Sequence, residues 1–247
     1  MGLITFLRWE VSSLTRPKLI LPLAAFMFFS SYLGGEVHGL STFIGGVGTR
    51  DLITLARRLG RMATTSIDGT YLALAFFSAV LASTSIAGEL DSGILKFYLS
   101  QPMGRLKVFA CKFLSVYMLL LSFGAASVYY RMFMEAPEDF PALLAASPFY
   151  IIQPLLLEAS AILFTLSVST YFSVVSRRAY HASLYSLFVL YSFYSVRMVS
   201  PGMRWFLPPY AFSIGIFELA NLTYFLAFSL GLLILAIYIF TRRLEVP

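Results

Sequence analysis

Side chains able to do covalent or metal chemistry are scarce in this chain. Histidine occurs only as His38 and His181, which the topology developed below puts on opposite sides of a membrane. No HExxH or paired-histidine metal site is therefore expected. Cys111 is the single cysteine, which excludes an intrachain disulfide; set within an apolar run, it reads as a small buried hydrophobe. The G-x-S-x-G turn of a serine hydrolase is absent. Gly88 and Gly93 have the spacing of a phosphate loop, but Ile94 and Leu95 stand where Lys and Ser/Thr would hold a nucleotide. The expectation is a chain with no catalytic centre, no metal and no cofactor of its own.

Two acidic positions carry more information. Glu158 follows Leu155, Leu156 and Leu157 inside a long apolar run. A carboxylate in hydrocarbon costs a few kcal/mol unless it is paired, hydrated or protonated. It reads either as a translocation-path group that binds a cation or polar head, or as a packing or boundary residue. Gln153 and Pro154 upstream allow the span to begin late. Tyr180, Tyr185, Tyr191 and Tyr194 offer an amphiphile a path, though aromatic belts and packing explain such tyrosines equally well. The second position is Glu89, in the stretch GELDSGILKFYLSQPMGRLKVFACK at 88–112. Glu89 and Asp91 suit a helix start, where the dipole favours anions. Leu90, Ile94, Phe97 and Tyr98 then form a short apolar face, Pro102 stops the element, and Arg105, Lys107 and Lys112 mark re-entry into the next apolar run. Such a surface helix can press into a groove on a partner.

The elements that must position these groups are membrane helices. Of the 247 residues, 59% are hydrophobic and only 12% charged, about half the charged share of a soluble domain. Six runs can cross a bilayer, at about 19–34, 70–88, 107–130, 148–175, 181–199 and 221–241. They lack the alternating polarity of barrel strands, so the fold expected is all-α and integral to the membrane, one domain over 1–247. The net charge of +6 falls in short clusters between the runs, which signals topology rather than nucleic-acid binding. With the N-terminus inside, eleven Lys and Arg lie inside, among them Arg105, Lys107, Arg177 and Arg242. Seven lie outside: Arg50, Arg57, Arg58, Arg61, Arg131, Arg197 and Arg204. Both termini are expected in the cytoplasm.

Three shorter features complete the layout. Residues 3–16 form an amphipathic helix in the headgroup plane, with Leu3, Leu7, Val11 and Leu14 on its apolar side, ending before Pro17. Arg8, Glu10, Arg16 and Lys18, with no A-x-A site following, argue against a cleavable leader. Residues 50–63 can form a second amphipathic helix outside, and 200–220, broken by Pro201, Pro208 and Pro209, a re-entrant outer hairpin. In the second run, Ser78, Ala79, Ala82, Ser83, Ser85 and Ala87 give a small-residue surface for close helix packing.

The order Glu89, Gly93, Leu99, Pro102, Arg105 and Lys112 resembles the first loop of ABC-2 type permeases. Ile94 and Cys111 depart from that pattern, standing for a small hydroxyl residue and a glycine. The resemblance covers about 25 residues in motif and the whole chain in layout. It implies that 89–99 is a coupling helix, in which Glu89, Gly93, Ile94, Phe97, Tyr98, Pro102 and Arg105 engage an ABC ATPase subunit that binds ATP and Mg. It also implies an exporter of two permease and two ATPase subunits, the second permease being a copy or a paralogue, in a prokaryotic cell membrane. The rival expectation is a self-contained channel or carrier, or a membrane anchor for a larger complex.

Overall fold

The computed structural model describes residues 3–15, 17–39, 69–95, 98, 104–135, 137, 149–176, 178–199 and 219–242. Among them every regular element is helical: α1 (Leu3–Leu14), α2 (Pro17–Gly39), α3 (Gly69–Asp91), α4 (Arg105–Glu135), α5 (Phe149–Ser176), α6 (Ala179–Val199) and α7 (Leu219–Arg242). Helices α2 to α7 coincide with the six apolar runs. Four stretches are long and apolar enough to cross a membrane: Gly69–Asp91, Arg105–Met134, Pro154–Ser176 and Phe225–Arg242. In α2 the apolar stretch is shorter, Ile20–Ser31. In α6, serine and tyrosine dilute an otherwise apolar helix. The stretch 50–63, and 200–218 of the stretch 200–220, lie outside the described residues, while Leu219 and Ala220 open α7.

Local chemistry sets the helix boundaries. Helix α1 stops before Pro17, whose fixed φ suits the first position of α2. In α3 the ladder widens into a π-helical segment over Ser83–Gly88. There Ser83 and Thr84 both donate to Val80 O, at 3.0 and 2.8 Å, occupying the carbonyl that a regular ladder would use. Elsewhere the spans quiet their hydroxyls in the same way: Ser169 donates to Thr165 O at 2.8 Å and Ser173 to Ser169 O at 2.6 Å. In lipid this removes polar groups that would otherwise stand unsatisfied.

Helix α5 is central, packing against α4, α6, α7 and the π-helical part of α3. The small residues of α3 are buried, as a close-packing surface requires. Ser78 Oγ lies 2.9 Å from Thr165 Oγ1 of α5, and a Cβ on Gly88 would sit 3.6 Å from Ala179 Cβ, ordinary contact. Tyr71 donates to Leu190 O at 3.3 Å and stacks on Tyr194, fixing α3 to α6. One apolar cluster (Phe6, Ile86, Leu95, Val108, Val174, Phe240) gathers α1, α4, both ends of the α3–α4 loop, and the last turns of α5 and α7 at one end of the bundle.

Two expectations change. Arg131 is not in an outer loop: α4 runs on to Glu135, and Arg131 is buried, donating from Nη1 to Ser31 O of α2 at 2.8 Å. The buried stripe of α1 is Phe6, Glu10 and Leu14, one residue round from the Leu3–Leu7–Val11 line. Leu7 and Val11 are half-buried, and Ile4 is exposed. The Phe6 ring packs inward, edge-on to Tyr98 at 5.3 Å.

Candidate functional site

The rotation of α1 carries Glu10 into the protein. Its carboxylate accepts a hydrogen bond from Lys112 Nζ at 2.6 Å, and neither side chain is more than 2% exposed. Glu89 Oε2 approaches the same ammonium to 2.7 Å. Tyr98 places its ring 5.7 Å from the same Nζ and packs against Phe6 and Trp9 of α1. Burial first, then the charges of Glu89 and Glu10, push the Tyr98 phenol above its ordinary range, so it stays neutral. One lysine on α4 thus clamps two carboxylates, one from α1 and one from the end of α3.

The place of Glu89 in its helix differs from the expectation. Glu89 and Asp91 close α3 instead of opening a helix, and the helical path breaks at Gly93 before resuming at Ile94. Ser92 N donates to Gly88 O at 3.0 Å and Gly93 N to Leu90 O, and the chain then turns at Gly93 with φ +77°. Only glycine adopts that left-handed conformation without strain, so Gly93 terminates α3. No atom lies within 4 Å of where a Cβ would be, so the constraint is conformational and not steric. Gly93→Ala should cost about 1–2 kcal/mol, seen as faster amide hydrogen exchange over 90–95 with the rest of the bundle unchanged.

Past the turn the apolar face divides. Leu95 is fully buried in the end cluster and Leu90 and Tyr98 pack against it, while Ile94 remains 47% exposed beside exposed Asp91 and Ser92. Phe97 and Pro102 lie outside the residues whose side chains are described. Arg105 opens α4 and donates from Nη1 to Thr241 O at 3.2 Å, a cation on the carbonyl end of α7.

The second group of residues does not assemble. Glu158 is fully buried on α5 against Gly124 of α4, and neither carboxylate oxygen has a hydrogen-bond partner among the described residues. Tyr185 and Tyr191 stand on α6 with 52% and 37% of their surface exposed, and Tyr185 lies against the rings of Phe172 and His181. No hydrogen bond joins either tyrosine to Glu158.

Sequence reasoning passed over two residues. Glu10 carried a signal, since it is four residues from both Phe6 and Leu14 and so shares a helical face with two apolar side chains. Gly124 carried none, because its neighbour across α4 and α5 depends on how those helices register. Among the described residues no three His, Cys, Asp or Glu side chains gather as metal ligands would.

Apolar helices long enough to cross a bilayer, with hydroxyls turned onto their own carbonyls and a charge clamp at one end, define a multi-pass helical membrane protein. A family model described as ABC-2 family transporter protein matches residues 18–206, and the chain belongs to that family of transport permeases. No curated protein matches it significantly.

Proposed function

We propose that this chain is the permease subunit of an ATP-binding cassette exporter, worked by a separate ATPase subunit that grips the loop after α3. The observation that carries the reading is the divided loop. Glu89, Leu95 and Tyr98 anchor its base to α1 and α4, while Asp91, Ser92 and Ile94 face outward. A tip so anchored passes a push at Ile94 into α1, α3 and α4 together. ATP and Mg belong to the partner, and two permeases, as copies or paralogues, pair with two ATPases.

In this reading all six long helices cross the membrane of a prokaryotic cell with both termini in the cytoplasm. Helices α2 and α6, of 23 and 21 residues, are about 30 Å or more in length, enough for the apolar core. Nucleotide-driven closure of the ATPases favours one arrangement of the paired bundles over another. Glu158 lies on the path that opens, and Tyr185 and Tyr191 offer rings and hydroxyls to an amphiphilic cargo.

The test is Ile94→Asp, produced together with the ATPase subunit that this reading requires, expected in the neighbouring reading frame. Ile94 is half exposed and its loss removes little internal packing, so the bundle should melt as the parent does. The docked ATPase should bind about 30-fold more weakly, as for loss of an apolar anchor worth about 2 kcal/mol. Full ATPase binding and full transport by the variant would sink the reading. Transport by the purified chain alone would establish the channel or carrier instead.

A further inference from the structure

We propose that Glu158 is a proton-binding site inside the membrane, and that the close α4–α5 contact is its proton-loaded state. This inference stands on the helix contact alone, whether or not an ATPase drives the chain. Glu158 lies four residues inside the apolar stretch Pro154–Ser176 and has no exposed surface. Both oxygens lack hydrogen-bond partners among the described residues. The carboxyl group sits so close to Gly124 that a Cβ there would collide with Oε1 and lie 3.1 Å from the carboxyl carbon. Packing this tight leaves no place for a hydrated cation or an ammonium group beside the oxygens.

The groups that face this contact do not neutralise it. On α4, Tyr117 commits its hydroxyl to Ala159 O at 3.2 Å. Arg131 stands seven residues beyond Gly124, about 10 Å along the helix axis, and donates to Ser31 O of α2. Ser127 donates to Gly124 O at 2.8 Å, so the nearest hydroxyl is turned away. On α3 and on α5 itself, Ser78 and Thr165 bond each other, and among the described residues no charged side chain pairs with Glu158.

Two states of the carboxyl group then compete. An isolated ionised carboxylate costs on the order of tens of kcal/mol in a medium of low dielectric. A neutral acid leaves an O–H donor and a C=O acceptor unsatisfied, at about 1–3 kcal/mol each. The neutral form wins. Ionisation requires that α4 and α5 part far enough to admit water or a cation, so the proton is a ligand of the closed contact. By linkage, acid favours the closed contact and rising pH favours its separation.

The experiment is infrared spectroscopy of the purified full chain in lipid nanodiscs near pH 7, with every glutamate carboxyl labelled with carbon-13. Exposed glutamates are ionised at that pH. The expected result is one labelled C=O stretch of a protonated carboxyl, lost in Glu158→Asp, whose aspartate carries acid but no label, and lost in Glu158→Gln. Absence of the band from the parent protein overturns the proposal and needs no variant. Persistence of the band in Glu158→Asp assigns the proton to another glutamate and overturns it equally.

Discussion

Lys112→Met should destabilise the protein by about 3–5 kcal/mol, the cost of leaving buried charge without its partner. Lys112 has no exposed side-chain surface, Glu10 has 2% and Glu89 20%. For a chain of this length the melting midpoint should fall on the order of 10 °C. Tryptophan fluorescence in nanodiscs follows it, since Trp9 lies 5.7 Å from the Tyr98 ring. The cost should divide unequally between the two carboxylates. Glu10→Gln should lose more than Glu89→Gln, because Glu10 is buried against the ammonium while Glu89 keeps a wet edge. Adding Glu10→Leu to Lys112→Met should recover part of the loss, as exchange of a buried pair for apolar groups is often neutral or better. A midpoint for Lys112→Met within 1 °C of the parent would mean that water reaches the clamp.

Gly124→Ala should cost about 1–3 kcal/mol through overpacking alone. The added methyl would meet not only Oε1 of Glu158 but also its Cδ at 3.1 Å and Cγ at 3.2 Å. The whole side chain must shift, and full burial leaves it nowhere to go. Charge and shape separate cleanly in a double-variant series. Glu158→Gln keeps the volume, so Gly124→Ala should cost as much in that background as in the parent. Glu158→Ala removes the colliding atoms and should return most of the loss. Equal cost of Gly124→Ala in all three backgrounds would show that α4 and α5 do not meet at this pair.

Helix placement was legible because lipid requires about 20 apolar residues per span and the backbone permits only helix there. The expected 107–130, 148–175 and 221–241 reappear as Arg105–Glu135, Phe149–Ser176 and Leu219–Arg242. The loop after the second run was legible as a charged, proline-stopped punctuation, but its shape was not. Glu89 and Asp91 looked like a helix start by composition. Their position at the end of α3 reflects a ladder that continues through the π-helical turn to the left-handed Gly93. Local propensity says where a helix can begin, whereas continuity with the preceding span decided that none begins at Glu89; helix resumes only past the turn, at Ile94.

Charge partnership shows the same division. The chain alone determined an all-helical membrane protein, the small-residue face of α3 and the unusual position of Glu158, since each depends on residue type and spacing along one element. Only the tertiary structure brought the carboxylates of Glu10 and Glu89 to 2.6 and 2.7 Å from Lys112 Nζ, seated Glu158 on Gly124, and turned Ile94 outward while burying Leu95. Those outcomes depend on the rotation and register of one helix against another. Side-chain packing sets both, and a one-residue turn of α1 separates a solvated Glu10 from a buried one.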